Sequence, residues 1–260
     1  MTIELLVAAV NKEVHALADT MRICSDAIII NQCGENNYDF FEKEGYHIRA
    51  YGTDERGVGL SRNQALLRAS ADISLFGDED IVYADGYADI VTGAFEKHPD
   101  ADVLLFNVDV APDRRTYHIE NFHKVGKMNC GRYPAYSIAI RTSRMHAANL
   151  TFSLLFGGGA KYANGEDSLF LRDCVKKGLR IYAVPERIGE EIPRPSTWFD
   201  GYNEKFFHDR GVLYHFLYGR LAGVWARRFI LAKKSYMCKE IQPSRALKLM
   251  KEGIAEAKKL

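Results

Sequence analysis

The chain has 260 residues, with 35 Lys and Arg against 34 Asp and Glu, eight His, five Cys and 47% hydrophobic residues. That is enough for one large domain, or one domain with an appendage, and the composition excludes a disordered chain. The net charge of +1 hides an asymmetry: residues 1–199 carry 22 basic and 28 acidic side chains, residues 200–260 carry 13 and 6. An acidic body excludes a nucleic-acid binder that works through an overall basic field. The basic tail needs its own account.

The five cysteines are scattered without a C-x-x-C pair, so free thiols in a reducing compartment are expected. The chain opens on Ile3–Val10 with Glu4 inside it and no basic stretch before it. No signal peptide is read there, and no apolar run approaches the 20 residues of a membrane span. A cytoplasmic protein is the expectation, with room for peripheral attachment to the inner face of the membrane.

Short apolar runs alternate with helix-like stretches through the first 110 residues. Ile3–Val10 reads as a buried strand, Lys12 to Arg22 as a helix, and Ala27–Asn31 and Tyr46–Tyr51 as further strands. A helix over Gly59–Ser70, a strand over Asp72–Gly77, a helix over Ala84–Lys97 and a strand over Asp102–Asn107 complete the series. Apolar strands separated by helices predict a doubly wound, mostly parallel α/β sheet covered on both faces. Ligands then bind beyond the carboxyl ends of the strands.

After Asn107 the rhythm changes. Ala135–Arg141 reads as a strand, Phe156–Gly165 as a flexible glycine-rich loop, Ser168–Lys177 as a helix, and Leu179–Pro185 as a strand stopped by its proline. Pro193 and Pro195 mark a boundary between a body, residues 1–200, and a basic, amphipathic helical extension, residues 201–260.

Three segments carry candidate chemistry. Asp78-Glu79-Asp80 follows a strand directly, and alternation along extended backbone points Asp78 and Asp80 together and Glu79 away. Two carboxylates on one face suit Mg²⁺ or Mn²⁺ with phosphate oxygens completing the shell; the alternative is a solvated acidic turn. Ser61-Arg62-Asn63 opens a helix, with Ser61 as its N-cap and Arg62 in the first turn. That Arg either meets a phosphate or base, or pairs with Asp54 or Glu55. Glu166-Asp167 precedes an amphipathic helix beneath the glycine-rich loop. Asp167 there is either a helix cap, as Ser168 would be, or a base for an incoming hydroxyl.

In their order, these segments resemble family 2 glycosyltransferases of the GT-A fold, over roughly residues 1–200. The run Arg172–Pro185 resembles the family's helix–Gly–strand–Pro sequel, and Ser196–Asp200 with Glu204–Gly211 resembles bacterial surface-polysaccharide members. The resemblance implies an inverting transfer from a nucleotide-diphosphate sugar, a UDP-sugar first, to a hydroxyl of a glycan or lipid-linked acceptor. Asp167 would be the base, with Glu166 second to it or touching the acceptor. Asp80 would bind the divalent ion and Asp78 the ribose or the metal, with His208 as a third ligand or a packed core residue. Ala8, Ala9, Asn11, Asn31, Arg62, Asn63 and Glu79 would face the nucleotide sugar, and Trp198 either the acceptor or the core. Two departures stand out: the second strand ends Ile30-Asn31-Gln32 where the family has acidic residues, and Ala8-Ala9-Val10-Asn11 replaces a Thr-rich loop.

The competing readings are a nucleotidyltransferase and a non-catalytic relative. The first needs an Arg/Lys-bearing Gly-rich loop after the first strand, where Asn11-Lys12-Glu13 stands instead. A dehydrogenase is disfavoured because no G-x-G-x-x-G follows that strand. In the tail, aromatic and apolar residues interleave with Arg220, Arg227, Arg228, Lys233 and Lys234. Residues 211–234 therefore suit either an anionic membrane surface or a helix docked on the body.

Overall fold

A computed structural model describes residues 1–112, 115–192 and 201–260. Its centre is a ten-stranded sheet. Strands β1 (Ile3–Val10), β2 (Asp26–Gln32), β4 (Tyr46–Thr53) and β5 (Ile73–Asp78) form a parallel block. Next come β7 (Val103–Asp109), β9 (Ile138–Arg141) and β10 (Ile181–Glu191), with β7 and β10 parallel and β9 antiparallel to both β5 and β7. Three strands run antiparallel at the margins: β3 (Asn37–Lys43) on β4, and β6 (Ile81–Tyr83) and β8 (His123–Val125) on β10.

The apolar strands are buried on both faces because helices cover both. Leu5, Val7 and Ala9 of β1 point into one core layer with α1 (Val14–Thr20) and α3 (Tyr87–Lys97). Leu6, one residue out of phase, points into the other with α2 (Val58–Arg68), α4 (Thr142–Ala148) and α5 (Glu166–Lys176). This is the predicted doubly wound α/β sheet.

Three local expectations need correction. First, β3 was not anticipated. It is a half-exposed edge strand, joined to β4 by Glu44-Gly45, whose φ values of 52° and 86° are both left-handed. That two-residue turn matches the twist of a hairpin. Second, β10 does not stop at Pro185. Its ladder to β8 ends at Ala183 and its ladder to β6 begins at Gly189, so the missing N–H falls where pairing is already interrupted. Third, α2 starts earlier than expected. Gly57 is its N-cap and Ser61 is a buried helical residue whose N–H donates to the Gly57 carbonyl at 3.0 Å. Arg62 therefore lies one turn inside the helix.

Beyond residue 200 the tail is helical as expected: α6 (Glu204–Tyr218), α7 (Ala222–Met237) and α8 (Pro243–Ala257). The helices bury a core of their own around Phe207, Ala226, Ile230 and Met250. Val212, Leu213 and Ala257 also pack on Phe156, Tyr162 and Leu169 of the body. Helices α6 and α8 meet backbone to backbone. A Cβ added at Gly211 would lie 2.1 Å from the Met250 carbonyl oxygen, and one at Gly253 would lie 2.1 Å from that of His208. Gly211→Ala should therefore lower the melting temperature by roughly 5 °C or more, as overpacking against rigid backbone does. Gly223→Ala, on α7 with no atom within 4 Å of the new Cβ, should leave it unchanged or slightly raised. Equal melting temperatures for wild type and Gly211→Ala would contradict this packing.

Candidate active site

A cavity of about 600 Å³ opens beyond the carboxyl ends of β1 and β5. Among the described residues, six carboxylates line it, Asp78, Glu79, Asp80, Glu166, Asp167 and Glu191, together with the cations Lys12 and Arg62. Three of them, Asp78, Glu166 and Asp167, share the one Arg62 guanidinium, and that excess of negative charge repels a diphosphate unless a cation enters with it.

Arg62 organises the inner half. It is 3% exposed, and its guanidinium donates to Asp78 at 2.7 Å, to Glu166 at 2.8 Å and to Asp167 at 3.1 Å. These partners come from β5 and α5, so one side chain on α2 ties three elements together at the cavity floor. Burial alone would lower the Arg62 pKa, but Asp78, Asp167 and Glu166 reverse that and hold it above its ordinary value. The sequence offered an Arg–carboxylate pair as one reading of this residue. That reading holds, with these three partners in place of Asp54 and Glu55.

Asp167 sits at the second position of α5, and Gly165, at φ 119°, is the N-cap. Neither Asp167 nor Ser168 caps the helix, so the Asp167 side chain is available to the cavity. Burial, then the neighbouring Glu166 carboxylate, raise its pKa well above the ordinary aspartate value, with Arg62 opposing them. Glu166 is 7% exposed and accepts from Gly165 N at 3.1 Å as well as from Arg62.

Strand alternation fails just where it was applied to the acidic triplet. Strand β5 ends at Asp78 and residues 79–80 form a turn into β6, so Asp78, Glu79 and Asp80 all line the cavity. Glu79 accepts from Val10 N at 2.6 Å and lies 3.5 Å from Lys12 Nζ, clasping the end of β1.

The other nominated residues divide. Ala8 is on the cavity wall, whereas Ala9 is a core residue and Asn11, at φ 51°, is an exposed turn off the wall. Asn31 is buried with its amide spent on Lys12, donating to the carbonyl at 2.8 Å and accepting from the N–H at 3.1 Å. Asn63 clasps Phe152 in the same two-way fashion. Neither amide is on the wall. His208 is also away from it: its ring lies 3.5 Å from Asp209 Oδ1 and 3.3 Å from Glu256 Oε2. Trp198 lies outside the described residues.

Sequence reasoning missed Lys12, Tyr136 and Glu191 on the wall, where Gln32, at the strand end that departs from the family, also stands. Gln32 accepts from Gly57 N at 2.8 Å, joining β2 to the start of α2. Only its position at a strand end signalled it.

Among the described residues no three His, Cys, Asp or Glu side chains form a metal cage. The donors present are nonetheless hard oxygens in an anionic cavity, Asp78 and Asp80 on one turn. A divalent ion held by one or two carboxylates, with waters and phosphate oxygens around it, fits that set.

The glycine-rich loop is pinned, contrary to the flexibility expected of it. Phe156 bridges to Tyr162, and the Gly158 carbonyl accepts from Val58 N at 2.9 Å, capping α2. From the tail, Glu256 accepts from Tyr162 Oη at 2.6 Å and Lys161 Nζ at 2.9 Å, and Asp209 from Ala163 N at 3.1 Å. Those bonds, Tyr162 first, depress the Glu256 pKa to about 2. The anchor is therefore complete above the ordinary glutamate range and is lost as pH falls towards 2.

Two outcomes follow for the site. Arg62→Met should destabilise by about 3–5 kcal/mol at neutral pH, because it strands buried carboxylates. The loss should shrink at pH 5, where carboxylates without their cation take up protons, and an equal loss at both pH values in chemical denaturation would contradict the charge argument. Glu256→Ala should speed amide hydrogen exchange over residues 157–165, and unchanged exchange would show that the tail does not hold the loop.

No family model and no curated protein matches the chain. Solved structures do. TarS of S. aureus, residues 1–349 in complex with UDP-GlcNAc, superposes with a TM-score of 0.62 at 15% identity, covering 92% of this chain and 74% of that one. The same TarS segment without ligand covers 98% and 82% at a TM-score of 0.61, and the longer TarS structure covers 93% and 46%. TarS is a GT-A glycosyltransferase of family 2, and the fold of this chain is that GT-A fold.

Proposed function

We propose that the protein is a metal-dependent, inverting glycosyltransferase that moves a sugar from a UDP-sugar to a hydroxyl of a glycan or lipid-linked acceptor. The observation that carries the reading is the convergence of two carboxylate pairs in one cavity, Asp78 and Asp80 on the strand-end turn and Glu166 and Asp167 on α5. The neighbours crystallised with UDP and UDP-GlcNAc support the donor class. Transfer in surface-polysaccharide or related glycan assembly is the setting that the sequence resemblance favours.

In this reading the acceptor hydroxyl attacks the anomeric carbon from the Asp167 side. The new C–O bond forms as the bond to the diphosphate oxygen breaks, and the hydroxyl proton passes to Asp167. Base assistance of this kind is worth roughly 10²–10⁴-fold in rate. The hydrogen bond from Arg62 fixes the carboxylate's orientation, and Glu166 stands beside it to meet the acceptor. A divalent ion at Asp78 and Asp80 would neutralise the charge developing on the departing diphosphate. Asn31 is spent on the backbone, and Gln32, whose oxygen accepts from Gly57 N, keeps its amide N–H groups for the nucleotide. No helix among the described residues is long and apolar enough to cross a membrane, which is compatible with a cytoplasmic donor supply.

Asp167→Asn tests the base. It should retain UDP binding and lose about 10²–10⁴-fold in turnover across a panel of UDP-sugars and acceptors. In wild type, kcat/KM should rise with pH through a pKa above the ordinary aspartate range, because the raised group must lose its proton to act. Full turnover in Asp167→Asn would remove it from the mechanism. Nucleotide binding without any turnover in wild type would support the non-catalytic reading.

A further inference from the structure

Helix α7 docks by one face only. Ala222, Ala226 and Ile230 are buried against the other tail helices, while Leu221, Val224 and Leu231 stand 59%, 60% and 70% exposed. Residues 224, 228 and 231 recur at helical spacing, so two of these apolar side chains share one outer face with Arg228. Arg227 and Lys234 flank it. Between Gly219 and Lys239 the sequence holds six cations, adding Arg220, Lys233 and Lys239, and no acidic residue. Of the acids elsewhere in the tail, Asp209 pairs with Lys205, Glu204 with Arg245 and Glu256 with Lys161. None of the six cations of the segment is in an ion pair among the described residues.

From this face we infer that the protein binds an anionic lipid bilayer surface through α7, with Val224 and Leu231 entering the interface and Arg227, Arg228 and Lys234 on the headgroups. The occupant follows from the chemistry. Exposed aliphatic side chains need an apolar medium that a nucleic-acid backbone does not offer. A second copy would bring the same unpaired cations face to face, at a Coulombic cost. A bilayer carrying acidic headgroups supplies both the apolar layer and the countercharge. Trp225 stacks on Tyr218 at 4.7 Å with Arg228 above it at 5.5 Å, a half-buried aromatic at the rim of the face. The proposal stands apart from the transferase reading, because neither the cavity nor its carboxylates enter it.

The test is flotation of the full chain with phosphatidylcholine vesicles, neutral or containing about one-third phosphatidylglycerol. Binding is expected to the anionic vesicles only, weakening as salt is raised. Each cation near the surface is worth about fivefold in affinity, so Arg227→Gln with Arg228→Gln and Lys234→Gln should cost about a hundredfold. Val224→Ser with Leu231→Ser should cost about tenfold or more. Neither set touches the helix's buried face, so thermal melting should match wild type. No binding, equal binding to neutral vesicles, or unchanged binding by either variant would overturn the proposal. So would a dimer in analytical ultracentrifugation that Leu231→Ser dissociates, which would assign the face to a second copy.

Discussion

The structure depends on one buried cation. Arg62 holds Asp78, Glu166 and Asp167 within hydrogen-bonding distance of a single guanidinium, and so fixes α2, β5 and α5 against one another. Three carboxylates about one arginine leave an excess of negative charge, and the low dielectric of the cavity floor magnifies it. Burial, then that excess, raise the Asp167 pKa, and the excess suits the site to a cation arriving with an anionic ligand. A buried ion cluster of this sort is costly to assemble, and its retention is better explained by chemistry than by stability.

A second constraint is close approach at glycine. Gly157 has φ 104°, and a Cβ there would come within 2.8 Å of the Glu166 carboxyl carbon; one at Gly165 would come within 2.6 Å of Leu213. The glycines that suggested a floppy loop instead let the chain pass between α5 and α6. The tail helices become part of the site's scaffold in this way, since Glu256 and Asp209 hold the wall that Ala163, Asn164 and Gly165 present to the cavity. The inner face of the tail positions the loop, and its outer face carries the cations of α7.

The sheet was legible because Leu5, Leu6, Ile28–Ile30 and Leu104–Phe106 are apolar without alternation, which only burial on both faces explains. The position of Asp78, Glu79 and Asp80 was legible from a strand end, and that of Glu166 and Asp167 from a helix start beneath the glycine-rich loop. What the sequence hid were pairings at a distance: Arg62 lies 104 residues from Glu166, and Asn31 and Asn63 are spent on backbone groups 19 and 89 residues away. Edge strand β3 was hidden because NYDFFEK places charge where a half-exposed strand tolerates it. Asp80 was read correctly onto the cavity for a reason only partly right, since a turn aims it there in place of strand alternation.

The central claim is that the carboxylates gathered about Arg62 make nucleotide diphosphate binding conditional on a divalent cation. Calorimetric titration of UDP into the full chain, with Mn²⁺ and with chelator, tests it directly. The account predicts affinity at least about tenfold tighter with Mn²⁺, a coupling that Asp80→Ala abolishes. Equal UDP affinity with and without the metal would contradict it.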